Sequence, residues 1–407
     1  VNVGFISTRL AGTDGVSLET AKLAEILGRQ GHRLAYCAGE LDPHLPGKLV
    51  PELHFTDPVA AALGQQAFAG SGEDPELLAA IARRARELRR PLASFLAAFD
   101  IHYLIIQNAF AIPMQLPLAQ ALAQLLEETG LPALAHNHDF YWERERFTPN
   151  RIGTFLDRYF PPALPNLRHA TINSLAQAEL RRRRGIDSIV LPNVFDFATP
   201  APGIDEYNRD FRQAIDLQDD DWLILQPTRV VPRKGIELAI ELVAALKDPR
   251  AKLVISHEAG DEGLEYLAQL EQLADQRGVD LRHVAGVVDE RRGHGPAGEK
   301  IYSLWDVYPH ADLVTYPSLV EGFGNALLET VYFRKPAVVN RYPVYVADIA
   351  PLGFHFAEVD GQVSERAVDI ARSWLENPAS WGPLVAHNFE LARRHYSYEA
   401  LAPLLPV

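Results

Sequence analysis

The feature that most constrains this chain is a rhythm that runs through it twice. "VNVGFIST" is a short apolar run of strand type, and "SLETAKLAEILGRQGH" after it carries apolar residues at helical spacing, with Gly31 where a helix ends. "RLAYCAG" then reads as a second strand. Strand, helix and strand in that order require a parallel sheet with right-handed crossovers. Further strand-type runs stand at "IHYLIIQ", "PALAHNHD", "HATINS" and "SIVLPN", with helical stretches at 75–99 and 117–129. After "LPNVFDFATPAPGIDEYN" the rhythm restarts with strand "DWLILQP", helix "GIELAIELVAALK", strand "KLVISH", helix "EYLAQLEQLADQRG" and strand "RHVAGVV". It finishes with strand "DLVTYPS", helix "NALLETVYFR", strand "PAVVN" and a helical tail.

Two α/β halves joined by the Pro-rich stretch near 192–203 are the simplest account, and 407 residues suffice for each half to bury its own core. Nothing approaches the roughly 18 consecutive apolar residues of a membrane span. The start "VNVGFISTRL" lacks the basic and long apolar regions of a secretory leader. Cys37 is the single cysteine, which excludes an intrachain disulfide and a Cys-based zinc site, so a cytoplasmic location is expected. A net charge of −14 argues against a general nucleic-acid binder. The charge is unevenly placed: residues 1–195 hold 19 Lys+Arg and 20 Asp+Glu, leaving a net of −13 for the rest.

Open parallel sheets bind ligands at the carboxyl ends of their strands, so the loops directly after strands are where chemistry is expected. In "LAGTDGVSLET", Gly12 and Gly15 permit close backbone approach ahead of a helix N-terminus, which suits a phosphate and serves equally as a plain turn. The loop is not Gly-x-Gly-x-x-Gly, and a dehydrogenase reading loses its support there. "LILQPTRVVPRKGIELAI" sets Arg229 and Lys234 between a strand and a helix, where the macrodipole mildly disfavours cations unless a ligand anion joins them. In "DLVTYPSLVEGFGNALLE", Asn325 is placed to cap a helix. Glu321 then lies in the turn before that helix and Glu329 one turn inside it, with the Gly322 to Asn325 backbone between them. Carboxylates so placed fit vicinal sugar hydroxyls, although a first-turn glutamate also compensates the helix dipole. "LAHNHDFYW" offers His136, His138 and Asp139 at a strand end. Without a Glu-x-x-His elsewhere this is a poor metal site; a hydrogen-bonding histidine at a cleft and, for His136 above all, a buried structural histidine are the competing readings.

The ordered set of the Gly-rich first loop, "HNHD", "TRVVPRKG" and "EGFGNALLE" resembles glycosyltransferase family 4, retaining enzymes of the GT-B fold, over nearly the whole chain. The resemblance implies two Rossmann-like domains facing each other across a donor/acceptor cleft. Residues 1–195 would form the acceptor domain, with a C-terminal helix 386–407 crossing back to it, and 196–385 the nucleotide-sugar donor domain. It further implies that Arg229 and Lys234 bind the donor diphosphate and stabilise the leaving group in the role a metal plays elsewhere, so that no metal or cofactor is required. Glu321 would hold hydroxyls of the donor sugar, and the amides of Phe323, Gly324 and Asn325 would approach sugar and phosphate. Glu329 would bind the ribose, His138 would meet the sugar near its reacting carbon, and the Gly15 amide would near the diphosphate. The implied reaction moves a hexose from a UDP-glucose or GDP-mannose type of donor, with retention, to a hydroxyl of a small sugar, glycerate or glycolipid.

The sequence departs from the family in two places. Many members carry two glycines where this chain has Asp14-Gly15, and a carboxylate there would repel a diphosphate, so Asp14 is expected on the acceptor side. "VISHEAGDEG" stands where a Gly-x-Gly turn is usual, so that either His257 and Glu258 contact the donor or the turn is simply rebuilt. In "YWERERFTPNR", Tyr141 and Arg144 are acceptor-side candidates. The basic clusters "RRARELRR" and "RRRRG" read better as solvated helix faces than as a peripheral membrane contact. The expected partners are therefore a small-molecule donor and acceptor. Two rivals stay open: a GT-B-fold sugar-nucleotide epimerase, and a non-catalytic nucleotide-sugar-binding protein.

Overall fold

The computed structural model describes residues 1–12 and 14–407, without the side chains of Asp261 and Glu262. The chain divides into two compact units, residues 1–194 with 398–407, and residues 195–397.

The first unit is built on seven strands: β1 (Asn2–Leu10), β2 (Arg33–Leu41), β3 (Gly47–Leu49), β4 (Tyr103–Gln107), β5 (Ala133–Asn137), β6 (Leu167–Thr171) and β7 (Ser188–Val190). They lie in the order β3-β2-β1-β4-β5-β6-β7, and every pairing is parallel. Alternation along β4 shows why the sheet is covered on both faces. Tyr103 and Ile105 join a core with the helix Gly15–Arg29, whereas Leu104 and Ile106 join another with the helices Pro75–Ala98 and Leu116–Thr129.

The second unit carries β8 (Trp222–Gln226), β9 (Ala251–Ile255), β10 (Asp280–His283), a small sheet of β11 (Val288–Asp289), β12 (Gly293–His294) and β13 (Lys300–Ser303), and then β14 (Leu313–Tyr316), β15 (Ala337–Asn340) and β16 (Ala357–Val359). Its main sheet runs β10-β9-β8-β14-β15-β16, the doubly wound order of a dinucleotide-binding fold. The strand expected over "RHVAGVV" is displaced toward its N-terminus: β10 ends at His283, and Val287 N–H turns back to the Val284 carbonyl at 3.0 Å.

The segment that returns to the first unit is 398–407, where Tyr398 and Leu401 enter the core beside Leu23 and Ile26. The helix Gly382–His395 belongs to the second unit. Where the second unit begins and ends, Phe195 pairs with Ser397 in a parallel bridge, and its N–H donates to the Tyr396 carbonyl at 2.8 Å. Among the described residues, no helix is long and apolar enough to cross a membrane.

Candidate functional site

Strand order reverses between β1 and β4 in the first unit and between β8 and β14 in the second. Crevices at such switch points are where open α/β sheets take ligands. The residues singled out in the sequence stand at the carboxyl ends of these strands and of β5, next to β4.

In the second unit, β8 runs into Pro227, Thr228 and Arg229, and Pro232–Lys234 form one tight turn before the helix Ile236–Leu246. Gly235 links turn to helix at φ +58°, and a Cβ there would meet the Pro317 carbonyl at 2.5 Å. Only glycine lets the two loops approach so closely. The result brings Lys234 to Glu321. Its ammonium donates to Glu321 Oε1, while Arg233 Nη1 donates to Oε2 at 3.1 Å. The side chains of Lys234 and Glu321 are 11 % and 8 % exposed. Burial alone pushes the Glu321 carboxyl up, but Lys234, a Ser318 hydrogen bond and Arg233 outweigh it and hold the group below its ordinary value. Burial pushes the Lys234 ammonium down, Glu321 opposes, and Arg233 and Arg229 add to the lowering. We take both groups as charged at neutral pH, since each is the other's nearest partner. Arg229 is exposed and, among the described residues, makes no ion pair, yet its charge reaches Lys234 and His257. His257 is half-buried beyond β9 with Nδ1 3.0 Å from Ser256 Oγ, and burial, followed by Lys234 and Arg229, pushes it down to about 4.

β14 leads through Ser318 to Gly324 into the helix Asn325–Tyr332. The cap is Gly324, at φ +139°, and not Asn325, which is the first helical residue. A Cβ at 324 would lie 2.7 Å from the Tyr342 hydroxyl, which itself donates to the Phe323 carbonyl at 2.6 Å. A long-range contact thus sets this turn. Phe323 is buried, edge-on to Tyr396 at 5.0 Å. Glu329 sits inside the helix, and its Oε2 accepts from the buried Tyr308 hydroxyl at 3.0 Å.

In the first unit, Asp14 caps the helix Gly15–Arg29. Its Oδ1 accepts from the N–H groups of Val16 and Ser17 at 3.0 and 3.2 Å, and its Oδ2 accepts from Arg9 Nε at 3.2 Å and Ser17 Oγ at 2.6 Å. The carboxylate that departs from the family pattern is therefore engaged with its own helix and Arg9. Among the described residues, a Cβ at Gly15 would meet nothing within 4 Å, so none of them demands glycine there.

At the ends of β4 and β5, Gln107 and Asn108 hold the "HNHD" segment. Asn108 takes φ +58°, which lets its Oδ1 accept from His138 N–H at 3.0 Å and its Nδ2 donate to Asp139 Oδ1 at 3.1 Å. The Gln107 Oε1 position lies 3.0 Å from His136 Nδ1 and 3.1 Å from His138 Nε2, and the two rings are 4.5 Å apart. His136 is buried. His138 is half-buried, and its surroundings push it down to about 4. Both imidazoles are neutral at pH 7. Arg144 pairs with Asp139, and Tyr141 stands edge-on to Trp142 at 5.2 Å.

Arg233, Tyr308, Tyr342, Gln107 and Asn108 went unnoticed in the sequence. Arg233 had the signal of adjacency to Lys234, while the tyrosines reach their partners only through the fold. The basic clusters are largely paired with acids: Arg84 with Asp57 and Glu87, Arg89 with Glu128, Arg181 with Asp187, and Arg182 and Arg183 with Glu179. Among the described residues, no group of three or more His, Cys, Asp or Glu could hold a metal ion.

No protein-family model matches the chain. Two curated proteins are similar to it over most of their lengths. The mannosylglucosylglycerate synthase of Petrotoga mobilis is 34 % identical over 376 residues, covering 87 % of this chain and 85 % of that protein. The mannosylglucosylglycerate synthase of Thermotoga maritima is 31 % identical over 438 aligned positions, covering 100 % and 99 %. Among solved structures, a glycosyltransferase from Rickettsia africae matches with a TM-score of 0.69 at 13 % identity, over 99 % of this chain and 96 % of that one. Anabaena HepE in complex with UDP matches at 0.65 and 14 % identity, over 99 % and 98 %. At these identities the solved structures speak for the fold alone.

Proposed function

Because this chain belongs to the GT-B glycosyltransferases, in the family of the mannosylglucosylglycerate synthases, we propose that it transfers a mannosyl group from a nucleotide-diphosphate donor, with retention, to a hydroxyl of a glucosylglycerate-type acceptor. The observation that carries the reading is the cluster of Lys234, Glu321 and Arg233, with Arg229 near enough to act on Lys234, at the carboxyl ends of β8 and β14 where the second unit's strand order reverses. Arg229 and Lys234 would take the diphosphate and stabilise the charge that develops on it as the glycosidic bond breaks. Lys234 would then exchange Glu321 for phosphate, and the released Glu321 would accept hydrogen bonds from sugar hydroxyls. Glu329, steadied by Tyr308, would hold the ribose. The Phe323 to Asn325 backbone would lie along the sugar and phosphate.

In the first unit we assign Gly15 to the approach of the diphosphate and His138 to the sugar near its reacting carbon. Asp14, Tyr141 and Arg144 belong to the acceptor side, Asp14 through Arg9 rather than through a free carboxylate. A neutral His138 cannot serve as an acid at neutral pH, which agrees with a reaction in which the leaving phosphate oxygen receives the acceptor's proton.

The test is incubation of the purified chain with GDP-mannose, UDP-glucose or ADP-glucose and glucosylglycerate, with the product's anomeric configuration read by NMR. Retained mannosyl transfer from GDP-mannose supports the reading, and transfer of glucose from UDP-glucose or ADP-glucose in its place would overturn the mannosyl assignment. An epimerised sugar in the absence of acceptor would favour the epimerase, and donor binding without turnover the silent binding protein.

A further inference from the structure

The buried polar cluster at the ends of β4 and β5 contains a conflict that only one arrangement removes. Gln107 is 1 % exposed, and with its amide oxygen toward the two rings its Nε2 has no hydrogen-bond partner; neither does His136 Nε2, which is also buried. In that arrangement His136 donates from Nδ1 to the amide oxygen, and the two amide N–H groups of Gln107 are left buried with nothing to accept them. Amide oxygen and nitrogen exchange places by a half-turn that moves nothing else.

We propose that the Gln107 amide presents its nitrogen to both imidazoles, and that Gln107 thereby acts as the positioning residue that fixes His138 as a neutral ring with its proton on Nδ1. The nitrogen donates one hydrogen to His136 Nδ1 and the other to His138 Nε2, at the 3.0 and 3.1 Å separations present. His136 then carries its proton on Nε2. The amide oxygen of Gln107 then goes unpaired in place of its two N–H groups, and buried acceptors go unpaired more readily than donors. His138 Nε2 is a lone pair engaged by Gln107, so the ring's proton is on Nδ1. Among the described residues His138 Nδ1 has no hydrogen-bond partner. It is a hydrogen-bond donor offered to substrate oxygen, so the subsite around His138 selects an acceptor atom and cannot remove a proton from a hydroxyl.

The inference rests on the reading of His138 as a sugar contact, but its test does not. In the unliganded full chain with ¹⁵N-labelled histidine, long-range ¹H–¹⁵N correlation reads which ring nitrogen is bare. The expected result is His138 bare at Nε2 and His136 bare at Nδ1. Gln107→Glu replaces the donor with an acceptor of nearly the same shape. It should move the His138 proton to Nε2 and lower kcat by about tenfold or more, with a smaller effect on the donor KM, as loss of an oriented transition-state donor does. His138 found protonated on Nε2 in the wild-type chain overturns the proposal, and so does a Gln107→Glu enzyme that keeps both wild-type tautomers and wild-type kcat. If the variant does not fold, the wild-type spectrum decides. Absence of sugar transfer by a chain whose His138 is protonated on Nδ1 would count against the functional reading and leave this assignment standing.

Discussion

Lys234 and Glu321 form an ion pair across two loops, with only about a tenth of either side chain exposed. Desolvating two charges is costly, and mutual attraction offsets it only while both partners are present. Lys234→Ala leaves Glu321 with the half-exposed Arg233 as its remaining cation. We expect kcat to fall on the order of a hundredfold, the usual effect of losing one preorganised contact to the developing charge. Unchanged kcat at saturating donor would remove the leaving-group role from Lys234.

Tyr308 is completely enclosed, stacked on Phe333 at 4.5 Å, and spends its hydroxyl on Glu329. Tyr308→Phe keeps the stack and deletes the hydrogen bond to a carboxylate. A loss of about 1.5 kcal/mol is expected, or roughly tenfold in kcat/KM, carried by the donor KM if Glu329 holds the ribose. Steady-state kinetics at fixed acceptor distinguish this from a change in kcat.

Gly235→Ala should lower both stability and activity. Its φ of +58° and the Pro317 carbonyl 2.5 Å from any Cβ mean that the loop carrying Lys234 must shift. A cost of about 2 kcal/mol or more corresponds to roughly 4–8 °C in Tm for a unit of this size. Gly203→Ala, where φ is ordinary and a Cβ meets nothing within 4 Å, is the matched control and should leave the melting curve in place.

Acid should destabilise the first unit before its carboxylates titrate. His169 is buried with Nε2 donating to the Pro162 carbonyl at 2.9 Å, and burial pushes it down to about 4 from 6.5. Between those values the unfolded chain binds a proton that the folded one refuses, so stability is full above pH 6.5 and falls as pH drops toward 4. The contribution is on the order of 3 kcal/mol. Across this window the unfolding free energy from denaturant titrations should fall more steeply with acid for wild type than for His169→Gln. An unchanged slope in the variant would count against a neutral His169.

Because cations of the chain are assigned to the diphosphate, EDTA is expected to leave transfer largely intact. Complete loss restored by magnesium would contradict the assignment of Arg229 and Lys234.

The alternation of apolar runs and helical stretches was enough to place most strands of both sheets, since each such run is buried on two faces and flanked by turn residues. β3, β16 and the sheet of β11, β12 and β13 escaped. Lys234, Glu321 and Glu329 were legible as residues at strand ends. Their restraints were not, because Tyr342 reaches Phe323 and Gly235 reaches Pro317 only after the chain has folded. The same reason moved the helix cap from Asn325, the better local choice, to Gly324, where Tyr342 leaves no room for a side chain.

The parallel bridge between Phe195 and Ser397 makes the second unit a cassette. The chain leaves the first unit at residue 194 and rejoins it at 398 through two backbone segments lying side by side. Neighbouring strands are about 5 Å apart, so a linker of a few residues would span the gap that removal of 195–397 leaves. The first unit is interrupted in sequence but not in space. A recombination or engineering event can thus exchange the second unit at a single seam while the first unit's sheet stays whole.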